Sequence, residues 1–241
     1  MDKSKLALAR AFDKVRQYEK TFEVCCTSFL DPAEQAEVTS AVKSVLYNLY
    51  GGYEGAERKI LIIGTDEPGE VGDFLEVVSI ECNEALTHRS VLGSVLGLGV
   101  KREMIGDIII NEKCADVIVL GSISNYIANN LKMVGREKVH TKKKSISELI
   151  IAPKEEKEIK MTVPSMRLDA VVSSGFGVSR EKASNLIEAE LVNLNYKVVK
   201  SNSKNVSVGD LISVRGYGRL ELKEIIGETR KNRIRITLIK K

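Results

Sequence analysis

The chain opens on a helical pattern of apolar residues. Leu8, Phe12 and Val15 recur at the spacing of one helix face. A second helix is better marked: Asp31 is placed to cap it, Pro32 takes its first position, and Glu34 falls where a capping-box acid belongs. Val38, Ala41, Val42, Val45, Leu46 and Leu49 then form one apolar stripe, which Gly51-Gly52 stops. The pattern predicts a helical region over residues 1–56.

From Ile60 the period changes. KILIIGT (59–65) reads as a short buried strand, and DFLEVVSIE (73–81) as a longer one. Ser90–Leu98 predicts a helix. GDIIIN (106–111) and ADVIVLG (115–121) predict two strands joined by a tight turn at Glu112-Lys113. Ser122 is placed to cap a helix holding Ile123, Tyr126, Ile127, Leu131 and Val134, and EKVHT (137–141) closes the series as a strand. From residue 73 the order is strand, helix, strand, strand, helix, strand. That is the ferredoxin-like arrangement shared by RNA-recognition motifs, and it assigns residues 57–152 to a middle domain. Residues 152–165, polar and bounded by Pro153 and Pro164, read as a linker (153–164) or a loosely held strand. After them come two short helices, Arg167–Ser173 and Ser179–Ala189, separated by Gly175 and Gly177. A series of short β segments then runs to the C-terminus, giving a third domain over 165–241. The fold class is α+β.

Charge sharpens this division. The 241 residues carry a net +4, but residues 1–55 sum to −1, residues 56–152 to −2 and residues 153–241 to +7. Concentrated Lys and Arg predict a polyanionic partner for the last segment. No apolar run reaches the roughly 18 residues of a membrane helix. The first residues lack the apolar core of a secretion signal, and Cys25, Cys26, Cys82 and Cys114 lack the spacing of a zinc site or disulfide framework. A reducing cytoplasm is the expected location. There is no G-x-x-x-x-G-K-S/T and no G-x-G-x-x-G, so no cofactor is expected. Gly93, Gly97 and Gly99 read as close-packing or turn positions, His88 and His140 as structural, and Lys142-Lys143-Lys144 as a solvated face. No pattern points to an oligomeric state.

The candidate chemistry sits in the basic segment. A helix whose first turn holds Ser179, Arg180 and Lys182 offers backbone amides, a favourable dipole and cations to phosphate. Asn195 and Lys197 follow in a turn, and Arg215 and Arg219 flank Gly-Tyr-Gly, where glycine permits close backbone approach. With Arg167 they compose a cationic face suited to structured RNA; the alternative is a solvated surface. Within this set, Ser179 is first a helix cap, Asn195 fits a turn, and Asp169 fits a role in orienting the backbone, because a carboxylate repels phosphate.

Arg167-Leu168-Asp169, Ser179-Arg180-Glu181-Lys182-Ala183 and Val192-Asn193-Leu194-Asn195 resemble the S-four-type, or alpha-L, RNA-binding domain. Two positions depart from it: Glu190 and Tyr196 stand where many members have glycine. GGYEGAERK (51–59), LTHRSVLGSVLGLGVKREMIGDI (86–108) and RGYGR (215–219) extend the likeness over nearly the whole chain, which resembles the bacterial YlmH family. Ser90 stands where that family's pattern leads one to expect aspartate. The resemblance implies a small N-terminal part, a middle domain of RNA-recognition-motif type and the alpha-L domain. It also implies a non-enzymatic binder of rRNA or tRNA on the large ribosomal subunit, with peptidyl-tRNA, in translation rescue or quality control, and a link to cell division through gene neighbourhood. Two other readings remain at this point. One is an RNA-modifying enzyme, because Arg-Leu-Asp ahead of Ser173-Ser174-Gly175 is similar to a pseudouridine synthase motif, although shifted by one residue. The other is a cell-division scaffold that binds protein.

Overall fold

A computed structural model describes residues 3–65, 74–111, 114–151 and 157–241, with the side chains of residues 3 and 4 left aside. The chain divides into two compact units, Met1–Ala152 and Pro153–Lys241.

The first unit begins with α1 (Lys3–Thr21), β1 (Cys25–Cys26), α2 (Pro32–Ala41), β2 (Tyr47–Tyr50) and β3 (Ile60–Ile63). Asp31 caps α2 in a full capping box with Glu34, as the sequence predicts. The helix does not continue along the apolar stripe, however. It ends at Ala41, and residues 47–50 pair antiparallel with β3, so Leu49 faces Leu61 across a sheet. The N-terminal region is therefore not purely helical: it contains a three-stranded sheet in the order β1-β3-β2. KILIIGT, assigned by its pattern to the middle domain, supplies the central strand of this sheet.

All four residues of β3 are buried because both faces of the sheet are covered. Leu61 and Ile63 pack with Ala11, Val15, Val38 and Val42 from α1 and α2. Ile60 and Ile62, with Phe29, pack against Leu75, Val77 and Ile118 of the next sheet. A continuous apolar run instead of an alternating one follows directly from that double burial.

That next sheet is formed by β4 (Leu75–Glu81), β5 (Ile105–Ile110), β6 (Cys114–Leu120) and β9 (His140–Lys144), in the order β5-β6-β4-β9 with every pair antiparallel. With α3 (His88–Gly97) and α4 (Gly121–Asn130) on one face, this is the expected ferredoxin-like arrangement. Three details differ. Leu120 occupies the cap position of α4 and no side chain caps it, so Ser122 is inside the helix. Val134 belongs to β7 (Met133–Val134), which pairs with β8 (Glu137–Lys138). The closing strand starts at His140, three residues later than EKVHT. The turn at Glu112-Lys113 lies outside the described residues. Ser90 takes the third position of α3 and exchanges hydrogen bonds with Thr87 in a capping box. Serine thus performs there the capping that aspartate would. Gly93 and Gly97 have open space where a Cβ would stand, so close packing does not explain them, whereas Gly99 has a left-handed φ of 84°.

Two of the motifs shared with the YlmH family interlock. Asp107 accepts hydrogen bonds from the Tyr53 hydroxyl (2.9 Å) and from the backbone amides of Glu57 (2.7 Å) and Arg58 (3.1 Å). The Arg58 guanidinium donates to the carbonyls of Ile105 and Phe29. A Cβ on Gly106 would stand 2.6 Å from the Phe29 ring, and one on Gly51 2.4 Å from Ala56. GGYEGAERK and MIGDI therefore form a joint between the two sheets.

The second unit contains β10 (Lys157–Val163), α5 (Leu168–Phe176), α6 (Arg180–Glu188), β11 (Val192–Leu194), β12 (Lys197–Val198), β13 (Leu211–Val214), β14 (Gly218–Glu228) and β15 (Ile234–Lys240). They form one antiparallel sheet ordered β10-β15-β14-β13-β11-β12. The segment expected as a linker is largely its edge strand: Lys157–Val163 pairs with β15 along its whole length. Both helices pack on the sheet through Leu168, Val171, Val172, Ala183 and Ile187. A Cβ on Gly175 would come within 2.6 Å of Leu220, so this glycine lets α5 lie close on β14.

Asp107→Ala removes the acceptor from two backbone amides and a hydroxyl. It is expected to lower the stability of the first unit by about 3 kcal/mol, and Tyr53→Phe by about 1 kcal/mol. Urea unfolding followed by circular dichroism measures both; equal effects would show that the backbone amides are not the main clients.

Candidate nucleic-acid interface

The expected site residues converge on the two helices and two turns of the second unit. Arg167 precedes α5, whose first amides are satisfied by an incoming loop: Leu168 donates to the Lys204 carbonyl and Asp169 to that of Asn202. Asp169 is 4% exposed and accepts from both Arg167 and Arg180 at 3.1–3.3 Å. Burial alone would push its carboxyl up. The hydrogen bonds and charges of the two arginines outweigh burial and hold it below the ordinary aspartate value. The clamp fixes two guanidinium groups while leaving each side chain about half exposed, at 42% and 48%. Asp169 thus orients the cations.

Ser179 caps α6 by accepting from the Lys182 amide at 3.1 Å. This side chain is committed to the helix, as its pattern predicts. Lys182 is exposed, with Nζ 5.6 Å from the centre of the Tyr217 ring. Tyr217 stands in the β13–β14 turn between Gly216 (φ 87°) and Gly218 (φ 110°) and meets Phe176 of α5 edge to face. Across the same hairpin Arg215 is exposed, and the Arg219 guanidinium lies 5.9 Å from the Tyr196 ring. Asn195 holds structure: its side chain donates to Asp210 at 2.8 Å and accepts from the Leu211 amide at 2.9 Å. Lys197 begins β12 and is exposed.

The aromatic contacts tie Lys182 of α6 to the β13–β14 turn, and Arg219 of that turn to the β11–β12 hairpin. Six of the eight expected residues therefore present cations, and two, Ser179 and Asn195, serve the backbone. Tyr217 is absent from the expected set although the Gly-Tyr-Gly turn is visible in the sequence. Only the folded contact shows that its ring carries Lys182.

The two departures from the alpha-L pattern are explained by the backbone. Glu190 (φ 61°) and Tyr196 (φ 65°) both adopt the left-handed conformation that glycine takes freely. Asn195 (φ 49°) and Tyr196 form the two-residue turn between β11 and β12.

The middle domain offers a different surface. In RNA-recognition motifs the sheet face away from the helices stacks bases on aromatic side chains. Here Leu75, Val77 and Ile118 of that face are buried against Phe29, Ile60 and Ile62. Lys142, Lys143 and Lys144 pair with Glu81, Glu76 and Asp116. The lysine run is neutralised in place. Among the described residues, no three His, Cys, Asp or Glu side chains gather as metal ligands, and no helix is long and apolar enough to cross a membrane. Burial pushes the Cys26 thiol up to about 11 and raises that of Cys25, so neither is an activated thiolate.

Family models match along the chain: "YlmH, N-terminal" over residues 3–68, "Putative RNA-binding domain in YlmH" over 73–148, and "S4 domain" over 166–212. A Bacillus subtilis (strain 168) protein named "Ribosome-associated protein quality control protein P2" is 35% identical over 236 residues, covering 95% of this chain and 91% of its own. This chain belongs to the YlmH family. A solved structure, "Cell division protein ylmH from Streptococcus pneumoniae", superposes with a TM-score of 0.55 at 17% identity, over 63% of this chain and 96% of that one, and shares the fold.

The Asp169 carboxyl is depressed in the folded state, so its contribution to stability is complete above the unfolded value of about 3.9 and is lost as pH falls through the folded value. Asp169→Asn is expected to flatten the acid limb of the thermal midpoint below about pH 4. An acid limb identical in the two proteins would remove Asp169 as the group that titrates.

Proposed function

We propose that this protein is a non-catalytic RNA binder that grips folded rRNA or tRNA through its C-terminal unit. The observation that carries the reading is the linked set of positioned cations: Arg167 and Arg180 on Asp169, Lys182 on Tyr217, Arg219 on Tyr196, with Lys197 and Arg215 exposed beside them. Fixed cations suit a folded backbone, whose phosphates are themselves fixed, better than a flexible strand. The name of the Bacillus subtilis relative supports a ribosomal setting. We place the chain on the large subunit carrying peptidyl-tRNA, in the cytoplasm, during rescue or quality control of stalled translation.

The enzyme reading loses its main residue. A nucleophilic or general-base aspartate needs a free carboxylate facing a substrate, whereas Asp169 is 4% exposed and held by two guanidinium groups. Gly175, which completes the resemblance to a synthase motif, is used for packing α5 on Leu220.

The test is binding of purified ribosomal RNA across a salt series. Lys182→Gln, Lys197→Gln and Arg215→Gln together remove three cations without touching the core. They are expected to weaken binding and to reduce the slope of log affinity against log salt by about 2, because each lost phosphate contact releases one fewer counterion. An unchanged slope with the fold intact would move the interface elsewhere.

A further inference from the structure

The S4 match ends at residue 212, yet the sheet continues through β14 and β15. Their connecting turn and the start of β15 carry Arg230, Lys231, Arg233 and Arg235, all exposed, with no acidic residue between Thr229 and Arg235. We infer that this turn is a second RNA-backbone site, separate from the alpha-L face. The inference rests on the RNA-binding reading above and extends it to residues outside the alpha-L motif.

Several lysines of this chain pair with carboxylates: Lys142, Lys143 and Lys144 as described, Lys223 with Glu158, Lys241 with Glu221, and Lys200 with Glu190. At the β14–β15 turn, among the described residues, none of the four cations is paired with a carboxylate. Four like charges within six positions repel one another, and a polyanion relieves that repulsion.

The turn is closed by hydrogen bonds from the Thr229 amide to the Arg233 carbonyl (2.8 Å) and from the Asn232 amide to the Thr229 carbonyl (3.0 Å), with Asn232 left-handed at φ 53°. Arg233 donates to the Thr162 carbonyl at 2.9 Å and to its hydroxyl at 3.2 Å, and Arg235 donates to the Glu228 carbonyl at 3.2 Å. These acceptors fix the guanidinium groups without cancelling their charge. Arg233 and Arg235 are thus presented in a set geometry, as on the alpha-L face, and Arg230 and Lys231 stand exposed beside them.

β14 runs 11 residues from Gly218 to Glu228, which at about 3.3 Å per residue separates the two turns by roughly 33 Å. One nucleotide cannot reach both. The ligand class is therefore an extended folded RNA, or two neighbouring RNA segments, contacted through phosphates. The half-exposed Ile225 and Ile226, at 45% and 50%, flank the cations and offer apolar contact to a sugar edge or an unstacked base.

The experiment uses the full-length chain with purified ribosomal RNA, a fluorescent RNA stem-loop and polyglutamate as probes. Arg230→Gln, Lys231→Gln and Arg235→Gln are combined, leaving Arg233 on Thr162. The expected result is affinity for ribosomal RNA about tenfold weaker at physiological salt and a salt slope reduced by about 2. Arg230→Lys with Arg235→Lys, which keeps the charge, should retain the slope. If the turn variant matches the wild type on RNA while the Lys182, Lys197 and Arg215 variant is impaired, the second site is overturned and the alpha-L reading stands. If the wild type binds neither RNA, both fall. Loss of polyglutamate binding with an unchanged RNA slope would assign the turn to an acidic protein and overturn the inference.

Discussion

Asp169 organises the proposed interface by an unfavourable act that two arginines reverse. A carboxylate with 4% exposure loses most of its hydration, and such a group stays ionised only when charged partners replace the water. Arg167 arrives from the segment before α5 and Arg180 from the first turn of α6, so the condition is met only when both helices are in register. The carboxylate sets the angle between the helices, and the helices in turn set where the guanidinium groups point. The trio retains one net positive charge, directed outward. The same contact therefore joins the two helices and holds the two guanidinium groups of the proposed interface.

The contrast between the two units is one of compensated and uncompensated charge. The middle domain has lysines on β9, but the neighbouring β4 supplies Glu76 and Glu81 and the next strand, β6, supplies Asp116, and the face an RNA-recognition motif would use lies against the N-terminal sheet. Covering that face requires the joint built by Asp107, Tyr53 and Arg58. GGYEGAERK and MIGDI are thus explained by one sheet docking on another. In the second unit the cations are held by rings, carbonyls and one shared carboxylate, which orient them and leave a net positive field.

The sequence was most legible where local chemistry decides the structure. Asp31, Pro32 and Glu34 start α2, Ser179 starts α6, and the strand–helix order after residue 73 specifies the ferredoxin-like sheet, because caps and short-range periodicity are local properties. It was least legible where a distant partner overrides periodicity. Val45, Leu46 and Leu49 continue a helical stripe, yet Tyr47–Tyr50 becomes a strand because β3 lies open to pair with it. Ile60–Ile63 looks like the first strand of a new domain until both of its faces are found buried. Lys157–Val163 is polar enough for a linker, and only the free edge of β15 makes it a strand. At the site, the residue types and spacing pointed to six cations as candidates, Arg167, Arg180, Lys182, Lys197, Arg215 and Arg219. The sequence could not show that Asp169 clamps two of them or that Tyr217 carries a third.

Tyr196 illustrates how far the backbone is bent to serve that surface. Its φ of 65° is disfavoured for a residue with a Cβ. Glycine would remove the penalty, which is why glycine suits the position in relatives of the alpha-L type. Glycine would also remove the ring 5.9 Å from the Arg219 guanidinium. Asn195, the preceding left-handed residue, carries a share of the strain with a side chain that bonds Asp210 and Leu211 and so locks the turn from outside. A strained aromatic is tolerated because the neighbouring asparagine over-determines the turn. The gain is an aromatic ring beside the Arg219 guanidinium, which a glycine turn would not supply.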